Sequence, residues 1–154
     1  MRQIVQRALI ILIGGAALGL AANLVSPRRI PLITPPKQAI PETEFIPLSE
    51  AYALWSGGAG FFLDARAPAD YKAGHIPNAF SLPAEEFDAY YPQVESMLNT
   101  DSAIVCYCNG VECDLSRHLA EVLKQRGFTN IRILKNAWTE WVKAGYPIAK
   151  GAQP

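Results

Sequence analysis

The residues able to do chemistry are crowded into one segment. All three cysteines, Cys106, Cys108 and Cys113, fall within the stretch AIVCYCNGVECDLSRHLAEVL, residues 103–123. An apolar run ends at Cys108. A polar loop follows, Asn109, Gly110, Val111, Glu112, Cys113 and Asp114. Apolar positions at Leu119, Ala120 and Leu123 then have helical spacing, and Gly127 is a C-terminal stop. A thiol between a strand and a helix N-terminus meets converging backbone donors and the positive end of the helix dipole. Both favour the thiolate, which is the nucleophilic form. Cys108 is therefore the candidate nucleophile, and the main-chain N–H groups of residues 109–114 form a candidate anion-binding loop.

The other two thiols read differently. Cys113 is a candidate resolving or modulating thiol. It closes a disulfide with Cys108 if the loop brings the two α-carbons within ~7 Å. Cys106 lies two residues before Cys108, on the same strand face, and reads as a core thiol. The pair flanks a strand residue rather than a turn, which is poor geometry for a tetrahedral metal site. No metal and no cofactor is expected.

The elements needed to position this loop are legible. FFLD (61–64), AFSL (79–82), AIVCY (103–107) and NIRIL (130–134) read as short strands, with a further candidate over Phe45 to Leu48. Ser49 is expected to cap a helix running through Trp55 and stopped by Gly57, Gly58 and Gly60. Residues 84–99 read as one or two short helices broken near Pro92, and 137–145 as another helix. Asp114 and Ser116 are candidate N-caps for the helix after the loop. Strands alternating with helices imply an α/β domain with a mostly parallel sheet. In such sheets ligands sit at the carboxyl ends of the strands, where the cysteine loop falls.

The first 25 residues are of another kind. ALIILIGGAALGLAA (8–22) carries no charge, and Ala8 to Val25 would span ~27 Å as a helix. This barely crosses a bilayer core. Two readings stand: an uncleaved signal anchor, which the length of the run favours, or a cleavable signal peptide. The first places residues 8–25 in the inner membrane with the remainder facing the periplasm or exterior. The second gives a secreted or periplasmic product. Residues 26–44 form a proline-rich linker, because proline fixes φ and lacks a backbone donor. The globular part spans residues 45–150. Lysine plus arginine and aspartate plus glutamate both number 14, so the formal net charge is zero. Nucleic-acid binding, which favours a basic excess, is not expected.

FLDARAPADYKAGHIPNAFSLP (62–83), then IVCYC with its loop and LAEVLKQRGFTNIRIL, then LKNAWTEW (134–141), occur in an order that resembles the rhodanese-like (sulfurtransferase) domain family. The resemblance covers roughly residues 45–150. It implies a mostly parallel sheet flanked by helices, and transfer of sulfane sulfur through a persulfide on Cys108. The donor would be thiosulfate, polysulfide or a persulfide, and the acceptor a thiol or cyanide. It also puts Arg66 at the rim of the site, with Arg117 a second candidate there, and makes His75 part of the framework. Asp64 and Arg66 are expected to have a structural role together. The loop departs from the family pattern: it is about two residues longer, gains Cys113, and has Leu115 where an arginine is usual. A phosphatase of the related fold needs that arginine to grip phosphate, so this activity is a minor expectation. Thiosulfate, a dianion, is disfavoured for the same reason. Two rivals to a sulfurtransferase stay open. One is a catalytically silent rhodanese-fold module that binds a partner or carries sulfur. The other is a thiol–disulfide redox protein using Cys108 and Cys113.

Overall fold

Backbone chemistry fixes where this chain can be regular, and the computed structural model describes residues 2–25, 44–110 and 114–152. These fall into two units, divided between Ala39 and Ile40. The proline-rich linker lies almost wholly outside the described residues. In the first unit, α1 (Arg2–Val25) is one continuous helix. Ile10, Ile11, Leu12 and Leu18 are all exposed. By length and composition, Arg2–Asn23 suffices to cross a membrane.

The second unit is built on five parallel strands. They are β1 (Phe45–Ile46), β2 (Phe61–Asp64), β3 (Phe80–Ser81), β4 (Ile104–Tyr107) and β5 (Ile131–Leu134), in the spatial order β1-β5-β4-β2-β3. The central strand β4 is apolar at every position, as a strand covered on both faces must be. Its period of two separates its side chains. Ile104 and Cys106 enter one core layer with Leu119, Ala120, Leu123 and Phe87. Val105 and Tyr107 enter the other with Ala51, Ala137 and Trp141. The first layer is covered by α5 (Asp114–Gln125) and by the short turns from residue 84 to 97, which include α4 (Phe87–Tyr90). The second is covered by α2 (Leu48–Ser56) and α6 (Ala137–Lys143).

Local chemistry explains the limits of these elements. α5 ends because Gly127 takes φ +93°, which lets the Phe128 amide turn back to the Leu123 carbonyl at 3.2 Å. α2 begins before the expected cap. Pro47, in extended geometry, offers its carbonyl to the amides of Glu50 and Ala51, both at 3.1 Å, and no side chain caps the helix. Ser49 is therefore inside the first turn. A further short helix, α3 (Pro68–Ala73), starts on a proline, whose missing amide proton is no loss at that position. The segment around Pro92 bends into short 3₁₀ turns.

Candidate functional site

The parallel sheet brings Asp64, Tyr107 and Leu134 side by side at its carboxyl edge, since β2 and β5 both pair with β4 in that register. Cys108 is the next residue along β4. By strand alternation it faces the same layer as Cys106, against α5. It is fully buried. Its Sγ lies 3.4 Å from the hydroxyl of Ser116, in the first turn of α5. Ser116 is thus a buried partner of the sulfur rather than an N-cap. Cys108 takes part in a disulfide, while Cys106 is a free thiol. Burial pushes the Cys106 thiol far above the ordinary cysteine range, with the charge of Lys124 only partly opposing. Cys106 is chemically inert and belongs to the core. Val111, Glu112 and Cys113 lie outside the described residues. Of the expected anion-binding loop, the structure therefore places Asn109, Gly110 and Asp114 only.

The exit of Cys108 from the strand is held from α6. The Trp138 amide donates to the Cys108 carbonyl at 3.3 Å, and the Thr139 hydroxyl donates to Asn109 Oδ1 at 2.8 Å. This second bond leaves no trace in the sequence, because nothing local links residues 30 positions apart.

Arg66 and Asp64 form a buried pair. Asp64 accepts from Arg66 Nε at 2.9 and 3.1 Å, from Nη2 at 2.6 Å and from the Arg66 amide at 3.0 Å. Arg66 Nη2 also donates to the Gly74 carbonyl at 2.7 Å. The guanidinium lies 4.7 Å from the centre of the Trp138 ring. Burial alone would lower the Arg66 pKa, but the hydrogen bonds and charge of Asp64 outweigh it and hold the pKa above its ordinary value. Burial, reinforced by the negative charge of Asp64, pushes the Tyr107 hydroxyl well up. The same causes, in the same order, raise Tyr71 to about 12.

Gly74 explains part of this packing. A Cβ there would sit 2.7 Å from Trp138 Cζ2. The glycine is needed for the close approach of the indole, not for its backbone angles, which are extended. His75 stacks on Tyr71 with ring centres 3.8 Å apart, and its Nδ1 is 2.8 Å from the Tyr71 carbonyl. Its backbone exchanges two hydrogen bonds with Ala149, both 2.9 Å. It has a framework position away from the sulfur. Arg117 lies over the Phe45 ring at 5.2 Å, at the β1 edge of the sheet.

A cavity of about 190 Å³ opens beside the cysteine loop, with Arg66, Asp70, Glu85, Glu86, Asn109 and Leu115 in its wall. Arg66 thus does reach the rim, but its donors face Asp64 and Gly74. Leu115 brings no charge to that wall. Among the described residues, no group of His, Cys, Asp and Glu is placed to hold a metal ion.

Residues 48–144 match the family of the rhodanese-like domain. An HTH-type transcriptional regulator of Mycobacterium tuberculosis is 30% identical over 117 residues, which is 76% of this chain and 47% of the regulator. The tRNA uridine(34) hydroxylase of Cronobacter sakazakii is 26% identical over 103 residues, 65% of this chain and 29% of the hydroxylase. The chain therefore spans less than half the length of either relative. Among solved structures, the rhodanese-like domain of an Anabaena protein superimposes with a TM-score of 0.58 at 25% identity, over 70% of this chain and 79% of that one.

Proposed function

This chain belongs to the rhodanese-like domain family, and from that premise we propose that it transfers sulfane sulfur through a persulfide on Cys108. The observation that carries this reading is the position of Cys108, one residue past the central strand and 3.4 Å from a hydroxyl in the first turn of α5. In the first step the Cys108 thiolate attacks the outer sulfur of a persulfide donor, R–S–SH. A sulfur–sulfur bond forms at Cys108, the bond to R–S breaks, and R–S leaves as a thiolate that takes up a proton. In the second step an acceptor thiolate or cyanide attacks the terminal sulfur, and Cys108 returns as a thiolate. The α5 N-terminus favours the anion in both states. The Ser116 hydroxyl donates to it, since a thiolate can only accept.

The small partners are a sulfur donor, as thiosulfate, polysulfide or persulfide, and a thiol or cyanide acceptor. Residues 8–25 anchor the chain in the inner membrane, and the domain faces the periplasm or exterior. The apolar, fully exposed face of α1 supports that placement. If the leader is cleaved, the domain is released on the same side.

The disulfide at Cys108 favours a second reading, in which Cys108 and Cys113 cycle as a dithiol. The two readings share a step. Attack of the Cys113 thiolate on the Cys108 sulfur of the persulfide expels hydrosulfide and leaves a disulfide, which a dithiol reductant must then reopen.

Thiocyanate release from cyanide tests the first reading, using the full chain reduced beforehand. Cys108→Ser abolishes release, and Cys106→Ala, at a core thiol, retains it. Full activity in Cys108→Ser would overturn the assignment.

A further inference from the structure

We propose that the cavity beside Cys108 selects sulfur donors whose carrier group is neutral or cationic, and discriminates against anionic carriers, through the carboxylates of Asp70, Glu85 and Glu86. This inference rests on the reading of Cys108 as the sulfur carrier. The cavity belongs to that site, because Asn109, the residue after Cys108, forms part of its wall. Its volume, about 190 Å³, suits a small carrier rather than a protein segment.

The charge balance of the wall follows from partners. Among the described residues Arg66 is the single cation in the lining, and its charge is matched by Asp64, with Nη2 and Oδ2 only 2.6 Å apart. Asp64 is fully buried and paired with Arg66, so the two together present almost no net charge to the cavity. Among the described residues, Asp70, Glu85 and Glu86 form no ion pair, and all three are exposed. Leu115 adds no compensating cation. Asp70 also acts electrostatically on Arg66, yet among the described residues one cation still faces four carboxylates, Asp64 included, so a carrier in the cavity feels a net excess of three negative charges. For carboxylates ~8 Å away in a water-like dielectric, the discrimination is about threefold per unit of carrier charge at 0.15 M salt and about sevenfold at 0.01 M. The loop is thus poorly suited to thiosulfate for two reasons: it lacks a cation, and its approach is negative.

The test is a size-matched charge series. The reduced full chain receives the persulfides of cysteamine, 2-mercaptoethanol and 3-mercaptopropionate, whose carriers bear positive, zero and negative charge. The rate of persulfide formation on Cys108 is read by mass. The expected order is cysteamine over mercaptoethanol over mercaptopropionate, steeper at low salt. The variant Asp70→Asn/Glu85→Gln/Glu86→Gln flattens the order. Leu115→Arg, a single added cation that leaves the excess negative, makes the order shallower without reversing it. Equal rates across the series, or an order unmoved by both variants, would overturn this inference while leaving the sulfur-transfer reading intact. If no donor modifies Cys108, that reading falls and this inference with it.

Discussion

Replacing Asp64 by alanine removes every side-chain acceptor that neutralises Arg66. Arg66 is 4% exposed. It would keep the Gly74 carbonyl at 2.7 Å and the face of Trp138, but its remaining counter-charge would be the exposed Asp70, which acts on it without a hydrogen bond. Leaving one member of a buried ion pair without its partner costs about 3–5 kcal/mol. For a domain of this size, each kcal/mol moves the melting temperature by roughly 4–8 °C. Asp64→Ala should therefore melt at least ~12 °C below the parent. Arg66→Met should be similarly harmful, because it leaves a buried carboxylate. The double variant should be milder than the sum of the two by about 2–3 kcal/mol, since neither unpaired charge then exists. Urea and thermal unfolding of the full chain in detergent, followed by fluorescence of Trp55, Trp138 and Trp141, closes the cycle. Additive effects would refute the pairing. An Arg66→Met protein of unchanged stability that fails with anionic donors would show instead that the guanidinium serves the substrate.

Gly74→Ala would press its new methyl against Trp138, and should cost about 1–3 kcal/mol in a thermal melt. Trp138→Leu in the same chain should recover part of that loss, and no recovery would deny the contact. Stability should also fail in alkali. The folded pKa of Tyr71, raised to about 12 by burial and then by the charge of Asp64, exceeds its unfolded value of about 10. The protonated form is thus favoured by folding. Its contribution is fully present below about pH 10 and is lost as pH rises through about 12. Tyr107 and Cys106, raised mainly by burial, act in the same direction. Urea midpoints should hold to about pH 9 and then fall, whereas a constant midpoint at about pH 11 would contradict the shift.

The alternation of strand and helix was legible because β2, β4 and β5 are short apolar runs bounded by turn residues. The position of Cys108 followed from β4 alone. α3 was not legible, since six residues give no helical period and Pro68 looks like a breaker until its place in the first turn is known. The start of α2 was misread for a related reason: a serine suggests a side-chain cap, yet the Pro47 carbonyl serves. Partnerships across the fold carried no local signal. Gly74 meets Trp138 and Asn109 meets Thr139 only once the sheet has formed. The carboxylates of Asp70, Glu85 and Glu86 look in sequence like an ordinary solvated surface. Their shared cavity appears only when α3 and the turn after β3 converge on the cysteine loop.

Sulfur transfer by this domain requires that the sulfur at the end of β4 accept another sulfur. The direct measurement reduces the full chain, exposes it to the persulfide of 2-mercaptoethanol, and maps the added mass by peptide. One extra sulfur on Cys108, absent from Cys106 and absent in Cys108→Ser, is the predicted result. An unmodified Cys108, or sulfur carried equally by Cys108→Ser, would contradict it.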